Sequence, residues 1–193
     1  MLNLAIFGSG SGSNYQAIAE AIADGSLNAR IACVISDVKD AFILERARRF
    51  GHPAFYVDCA PFKTKLDGEA ERQAIEIIKQ HGGDFVVLAG FMRIIKSGLL
   101  DAFAGRIINI HPSLLPAFPG LEAGRQALEA GVKETGCTVH FVDGGIDSGP
   151  IICQRKVPVL SGDTVEILMN RIHAQEHIAY PAALQKIAEG FTV

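Results

Sequence analysis

The sequence predicts an α/β fold in which helices cover both faces of a doubly wound, mostly parallel sheet. Strand-like and helix-like apolar patterns alternate along the 193 residues, as they do in chains built from βαβ units. The run 85–89 is apolar at every position, which is typical of a strand buried on both faces. A glycine-rich loop at 8–14 separates the first strand from the first helix. We therefore expect a Rossmann-like N-terminal half, with antiparallel strands added near the C-terminal half.

The elements follow one another with short connections. The predicted strands span residues 2–7, 30–35, 54–57, 85–89, 106–111, 137–142 and 151–159. The predicted helices span about residues 14–23, 41–50, 65–80, 97–103, 126–130 and 163–179, and Pro181 is expected to open a last helix. Gly51 and Gly131 are expected to end two helices, because glycine adopts the left-handed backbone that closes many helices. Asp163 is the predicted N-cap of the long helix.

Length and charge set limits on the class of protein. A chain of 193 residues can bury a two-faced core, so we expect a single domain over 1–193, divided into an N-terminal half of about 1–105 and a C-terminal half of about 106–193. The net charge of −3 with 20% charged residues gives no broad basic surface, which argues against a nucleic-acid partner. We expect small-molecule substrates, and the sequence leaves a homodimer open.

The composition favours a cytoplasmic protein. No apolar run reaches the roughly 20 residues that span a bilayer, and the first residues lack the basic segment of a signal peptide, so no membrane partner is expected. The cysteines show no C-x-x-C spacing and are interpreted as core residues in a reducing compartment; they are Cys33, Cys59, Cys137 and Cys153.

Two polar side chains end the strand at 106–111. Asn109 and His111 are spaced i, i+2, so an extended chain points both to the same face, at the edge where open parallel sheets bind ligands. Pro112 stops further strand pairing. The residues alone are equally compatible with a capped strand end whose histidine is hydrogen-bonded, followed by a proline-rich turn.

The loop Gly8-Ser9-Gly10-Ser11-Gly12-Ser13-Asn14 leads into a helix N-terminus, where backbone N–H groups make an anion site. The glycine spacing departs from the dinucleotide fingerprint, and no Walker lysine follows. A single phosphomonoester held by Gly12, Ser13 and Asn14 therefore fits better than a pyrophosphate, although a merely tight turn is an alternative. Asp37, after the second strand, keeps open an NAD(P)-linked enzyme or another nucleotide-binding module.

Two later segments carry further candidate residues. The loop 143–149 holds three glycines and two aspartates, so Asp147 is either presented to a site or part of an acidic hairpin turn. His140, in mid-strand, is interpreted as a hydrogen-bonded sheet residue. The segment 173–177 has the letters H-x-x-E-H of a zinc motif. No third ligand is evident, so we expect no metal and a polar helix face that lines a substrate site through Glu176.

These motifs together resemble those of the folate-dependent formyltransferase family, and in particular its glycinamide ribonucleotide branch. The resemblance runs through residues 10–14, 88–93, 109–116, 138–149 and 175–177. It implies transfer of the formyl group of 10-formyltetrahydrofolate, used as co-substrate, to the amine of 5-phosphoribosylglycinamide in purine synthesis. A formyltetrahydrofolate hydrolase is the alternative within the family.

The resemblance also implies roles for individual residues. The catalytic group would be Asn109, His111 and Asp147. The residues that bind phosphoribosylglycinamide would be Gly12, Ser13, Asn14, Asn109, His173, Ala174, Gln175 and Glu176. The residues that bind folate would be Lys65, Met92, Arg93, Ile94, Ile95, Asp143, Gly144, Gly145, Ile146 and Asp147.

The chemistry of formyl transfer is consistent with the catalytic group. Attack of an amine on a formyl carbon creates a tetrahedral oxyanion, to which Asn109 and protonated His111 can donate hydrogen bonds. A carboxylate such as Asp147 within about 4–6 Å would favour the protonated imidazole. That effect on its own is small, so we expect Asp147 also to help move the proton off the attacking amine.

Overall fold

The computed structural model describes residues 1–191 as a seven-stranded central sheet, a two-stranded sheet and six helices. The strands are β1 (Leu2–Phe7), β2 (Ala29–Ser36), β3 (Ala54–Tyr56), β4 (Lys65–Leu66), β5 (Phe85–Leu88), β6 (Ile94–Ile95), β7 (Ile107–His111), β8 (Glu134–Phe141) and β9 (Ile151–Pro158). The helices are α1 (Ser13–Ala23), α2 (Phe42–Arg49), α3 (Gly68–Gln80), α4 (Ser97–Ala102), α5 (Ala123–Glu129) and α6 (Val165–Ala188).

The large sheet has the strand order β3-β2-β1-β5-β7-β8-β9. The first five of these strands pair in parallel, and β8 and β9 are added in antiparallel fashion. The predicted fold class is therefore confirmed. Because β1, β5 and β7 are neighbours and run in parallel, their carboxyl ends open side by side at one edge of the sheet.

Apolar side chains fill both faces of the sheet. One cluster joins Ile6 and Ile108 to Tyr15 of α1 and Tyr180 of α6. The other cluster covers the opposite face and is built from β-strand residues together with apolar residues of α3 and α4. In β5, Val86, Val87 and Leu88 are all buried, which confirms the expectation for the 85–89 run. Residues 1–191 contain no helix long and apolar enough to cross a membrane.

The expected helix at 65–80 is wrong in its first turn. Lys65 and Leu66 instead form β4, which pairs in parallel with β6. The helix begins only at Gly68, where the side chain of Asp67 accepts a hydrogen bond from the Gly68 N–H at 2.7 Å. An N-cap of this kind marks the true helix start, because it satisfies an N–H that has no partner within the helix.

The break expected at Pro181 is also wrong, because α6 continues through this proline. Tyr180, Ala183 and Leu184 on either side are fully buried. Burial of this face offsets the roughly 3 kcal/mol that an internal proline costs a helix. The N-cap is Thr164, whose side chain accepts from the Ile167 N–H, and not Asp163 as predicted.

Candidate active site

The end of β7 carries the polar group around which the site is built. Antiparallel pairing with β8 sets Asn109 directly opposite His140. His111 is only 5% exposed. Its Nδ1 lies 3.2 Å from Oδ2 of Asp147, so the expected meeting of these two side chains is confirmed.

Asp147 is held in place by the loop that follows β8. Its backbone has φ of 50°, a left-handed conformation that aspartate tolerates better than most residues. Its Oδ2 accepts a hydrogen bond from the Gly120 N–H at 2.9 Å. Burial raises the pKa of Asp147, but the neighbouring His140 ring, the hydrogen bond from the Gly120 N–H and the charge of His111 outweigh burial and leave the pKa below its ordinary value. The side chain is therefore a buried, charged carboxylate and not part of a solvated turn.

His140 belongs to the same polar group, which sequence reasoning missed. Its Nδ1 lies 2.9 Å from the carbonyl oxygen of Phe141, so this nitrogen carries a proton and donates. Its Nε2 lies 3.4 Å from Nδ2 of Asn109 and 3.7 Å from Oδ1 of Asp147. His140 thus contacts two of the three expected catalytic residues. This contact follows from the pairing register of β7 and β8, which cannot be deduced from a single sequence.

The second ring nitrogen of His111 is engaged by the proline-rich loop. Nε2 lies 2.8 Å from the carbonyl oxygen of Phe118. Both nitrogens therefore face acceptors, and only the protonated ring can donate to both at once. Phe118 has φ of 55°, a strained backbone for a bulky residue.

The glycine loop lies at the end of β1, two strands away from β7. Gly12 has φ of 74° and packs so closely on α2 that an added Cβ would lie 2.7 Å from Cβ of Ile43. The N–H groups that open α1 have no partner within the helix, which is the arrangement that the expected anion site requires. Arg46, which sequence reasoning missed, donates from Nε to the Ser11 carbonyl at 2.8 Å. A cavity of about 300 Å³ opens here and is lined by Ser13, Gln16, Ala17, Glu20, Arg46 and His177.

Asn14 joins the glycine loop to α6. Its Nδ2 donates to Oε2 of Glu176 at 2.8 Å, and both side chains are buried. Its Oδ1 has no hydrogen-bond partner among the described residues. Glu176 therefore reaches the expected phosphate side of the site, whereas Gln175 accepts a hydrogen bond from Nε of Arg155 at 2.9 Å.

The segment with the zinc-like letters lies within α6. Within residues 1–191, no three His, Cys, Asp or Glu side chains are grouped as a metal ion requires. Glu176 turns toward Asn14, Ala174 is exposed, and His173 is half-buried. These contacts leave α6 as a polar face beside the glycine loop.

Of the expected folate residues, Met92 and Arg93 lie in the loop after β5, and Ile94 and Ile95 form β6 directly after it. Met92 and Ile94 are 65% and 50% exposed, whereas Ile95 is buried. Lys65 lies on β4 directly beside Ile94 and forms an ion pair with Asp67. The loop therefore presents apolar side chains next to a cation, a surface suited to a flat ring that carries a carboxylate tail.

Asp143 stabilises the loop after β8 by accepting hydrogen bonds from residues of the same loop. Oδ1 of Asp143 accepts hydrogen bonds from Ser148 Oγ at 2.7 Å and from the Gly145 N–H at 2.9 Å, and these bonds lower its pKa. Ile146 at the tip is 69% exposed. Asp143 thus stabilises the turn that presents Asp147.

Both carboxylate oxygens of Asp37 accept hydrogen bonds from other residues of the protein. Its Oδ2 accepts from Nε of Arg93 at 2.6 Å, and its Oδ1 accepts from Ser9 Oγ at 2.5 Å. The side chain is only 4% exposed. The nicotinamide-enzyme alternative needed this carboxylate to be free, and the structure gives it protein partners.

Comparison with known proteins shows the family of this chain. The sequence profile of a family described as formyl transferase matches residues 2–184. The chain belongs to the formyl transferase family. Phosphoribosylglycinamide formyltransferase of Bacillus subtilis (strain 168) is 42% identical over 97% of this chain and 95% of its own length. The enzyme of the same name from Escherichia coli (strain K12) is 43% identical over 98% of this chain and 88% of its own.

A solved structure shows the same fold. Glycinamide ribonucleotide transformylase 1 from Symbiobacterium toebii is 53% identical and superposes with a TM-score of 0.94, over 98% of this chain and 89% of its own. For a formyl transferase, the expected formyl donor is of the folate type.

Proposed function

We propose that this formyl transferase moves the formyl group of 10-formyltetrahydrofolate to the amine of 5-phosphoribosylglycinamide, in de novo purine synthesis. The observation that carries the proposal is the contact of His111 with Asp147 beside Asn109. This contact lies at the same sheet edge as the expected anion site, two strands away from it. The names of the Bacillus and Escherichia relatives support the choice of acceptor.

In this proposal the acceptor extends from the end of β1 to the end of β7, where it meets the formyl donor. The ends of β1 and β7 are two strand spacings apart, or about 10 Å. A phosphate bound at residues 12–14 and a ribose against Glu176 then bring the amine of the acceptor to the end of β7. The pterin would lie between the loops 92–95 and 143–147, with its formyl group toward His111.

The residues at the end of β7 match the needs of the reaction. The amine nitrogen forms a bond to the formyl carbon, and the carbonyl electron pair moves to oxygen. Asn109 and protonated His111 donate to this oxyanion, and one such donor contributes about 10²–10³ in rate. Asp147 takes the amine proton directly or through water. As the electron pair returns from oxygen and the bond from carbon to N10 breaks, N10 receives the proton that Asp147 took from the amine, directly or through water, and tetrahydrofolate leaves.

A formyl-transfer assay with the acceptor first omitted and then supplied tests this proposal. The absorbance change of tetrahydrofolate formation should appear only when phosphoribosylglycinamide is added. Steady release of tetrahydrofolate and formate without the acceptor would identify a hydrolase instead. A fluorescence change with NAD(P)H, and none with folate, would favour the nicotinamide alternative.

We also propose a cytoplasmic location. Cys33, Cys59 and Cys137 are buried free thiols. Burial raises the pKa of Cys33 and of Cys137 to about 12, so few thiolates form at neutral pH. Thiols used as core residues suit a reducing compartment. Cell fractionation should recover the protein with cytoplasmic markers, and recovery in a membrane or secreted fraction would contradict this location.

A further inference from the structure

The carboxylate of Asp37 connects three loops at the carboxyl ends of neighbouring strands. Asp37 follows β2 and accepts hydrogen bonds from Ser9, in the loop after β1, and from Arg93, in the loop after β5. Ser9 Oγ in turn accepts from the Met92 N–H at 2.9 Å. Nη1 of Arg93 donates to the carbonyl of Phe62 at 2.6 Å. A single carboxylate therefore fixes both the start of the glycine loop and the backbone at residues 92–93.

The contacts of Asp37 depend on its charge as well as its shape. Arg93 and Asp37 are 16% and 4% exposed at the side chain, so the ion pair lies largely out of water. Loss of one partner would leave the other charge covered and unpaired, which costs more than the loss of an exposed pair. Ser9 Oγ accepts from Met92 and so must use its own proton toward Asp37.

An asparagine at position 37 cannot replace both contacts. With its oxygen toward Arg93, its NH₂ group points at Ser9 Oγ, which can accept from both this group and the Met92 N–H, but the Ser9 hydroxyl proton then loses its acceptor at position 37. With its oxygen toward Ser9, its NH₂ group points at the Arg93 guanidinium. The first orientation thus leaves the Ser9 proton without this acceptor, the second sets donor against donor at Arg93, and both remove the charge that pairs with Arg93.

We propose that Asp37 is a positioning residue for both substrates: through Arg93 and Ser9 it holds the loop expected to bind the pterin and the loop expected to bind the phosphate in one fixed arrangement. This inference rests on the proposed function for its two ligands. Asp37 itself contacts neither of them. Its effect is on binding, because both loops lie to the sides of the reacting carbon.

Asp37→Asn tests the inference, with Asp163→Asn as a matched control. Asp163 also forms a largely covered ion pair, with Arg171 at 2.7 Å, but at the start of α6 and outside the site. Asp37→Asn should raise KM for 10-formyltetrahydrofolate and for phosphoribosylglycinamide by about tenfold each, the effect of one charged hydrogen bond, with kcat within about twofold. Asp163→Asn should leave both KM values unchanged.

A second variant and a second measurement keep the test decisive. Ser9→Ala removes the acceptor of the Met92 N–H without removing a charge. It should also raise KM for the folate, and it serves as the test if Asp37→Asn does not fold. Hydrogen exchange over residues 89–95 of the ligand-free protein should quicken about tenfold in both variants, and not in Asp163→Asn.

Each outcome bears on one claim. If the unaltered protein transfers no formyl group, the proposed function fails, whereas the exchange result still tests the connection between the loops. If the protein is active but Asp37→Asn keeps both KM values, or lowers kcat alone, the positioning role is overturned. Exchange over residues 89–95 that matches Asp163→Asn would also overturn it.

Discussion

Nδ1 of His111 lies 3.2 Å from Oδ2 of Asp147, and this contact joins the end of β7 to the loop after β8. The carboxylate is held there by the Gly120 N–H as well. Such a fixed pair can hold an imidazole oriented toward a developing oxyanion. The roles proposed for both residues depend on the charge of Asp147 and can be tested by removing it.

Asp147→Asn should lower kcat by about 10²-fold or more, because an amide can neither support a charged His111 nor accept a proton from the amine. The backbone should be unaffected, since asparagine tolerates the φ of 50° at this position and keeps an oxygen for the Gly120 N–H. Steady-state kinetics measure the change, with the thermal midpoint as the control for folding. A loss of only a few-fold would mean that Asp147 does no more than tune the charge of His111.

The lowered pKa of Asp147 predicts how stability depends on pH. A carboxyl whose pKa is lower in the folded state contributes stability above its unfolded pKa of about 3.9 and loses it as the pH falls through the folded value. As the pH falls, the difference in unfolding free energy between the unaltered protein and Asp147→Asn should thus persist to about pH 5 and shrink only below about pH 4. Urea unfolding across this range measures it. A difference that already shrinks near neutral pH would show that the pKa is raised.

His140→Ala should lower kcat by about 10- to 100-fold, because the ring holds Asn109 on one side and faces Asp147 on the other. KM values should change little, since His140 is 2% exposed and lies behind these residues. His81→Ala is the control, because that ring contacts Ile77 and Phe55 away from the site. Equal kinetics for the two variants would remove His140 from the polar group.

Gly12→Ala should destabilise the protein by about 2–4 kcal/mol and raise KM for phosphoribosylglycinamide. The left-handed φ of 74° is costly for alanine, and the new Cβ would press on Ile43. Gly10→Ala is a matched control in the same loop, where an added Cβ meets nothing within 4 Å, so stability should change by less than about 0.5 kcal/mol. Chemical denaturation of both variants measures the difference. Similar losses at the two glycines would contradict the close approach at Gly12.

The sequence predicts the fold well because periodicity and glycine punctuation are local signals. The alternation of strands and helices, the buried β5 and the loop before α1 all follow from patterns a few residues long. The errors occur where contacts between residues far apart in the chain determine the secondary structure. Lys65 pairs with Ile94, and α6 passes Pro181 because its next turn packs into the core.

In the candidate site, too, the features that depend on local spacing can be predicted from the sequence, and those that depend on distant contacts cannot. The spacing of Asn109 and His111 is enough to place them on one strand end, and the glycine spacing is enough to place the loop between β1 and α1. The contacts of His140 and Asp37 depend on the order and register of strands far apart in the chain. Asp37 illustrates the limit, because its position after β2 suggested a ribose ligand, whereas its partners come from the loops after β1 and β5.

Single-turnover formyl transfer by Asn109→Ala, with both substrates saturating, measures the oxyanion assignment most directly. We expect a rate about 10²–10³ lower than that of the unaltered protein, with substrate binding nearly unchanged, because the lost hydrogen bond would form only as charge develops on the formyl oxygen. A rate equal to that of the unaltered protein would contradict the proposed role of the β7 strand end in the reaction.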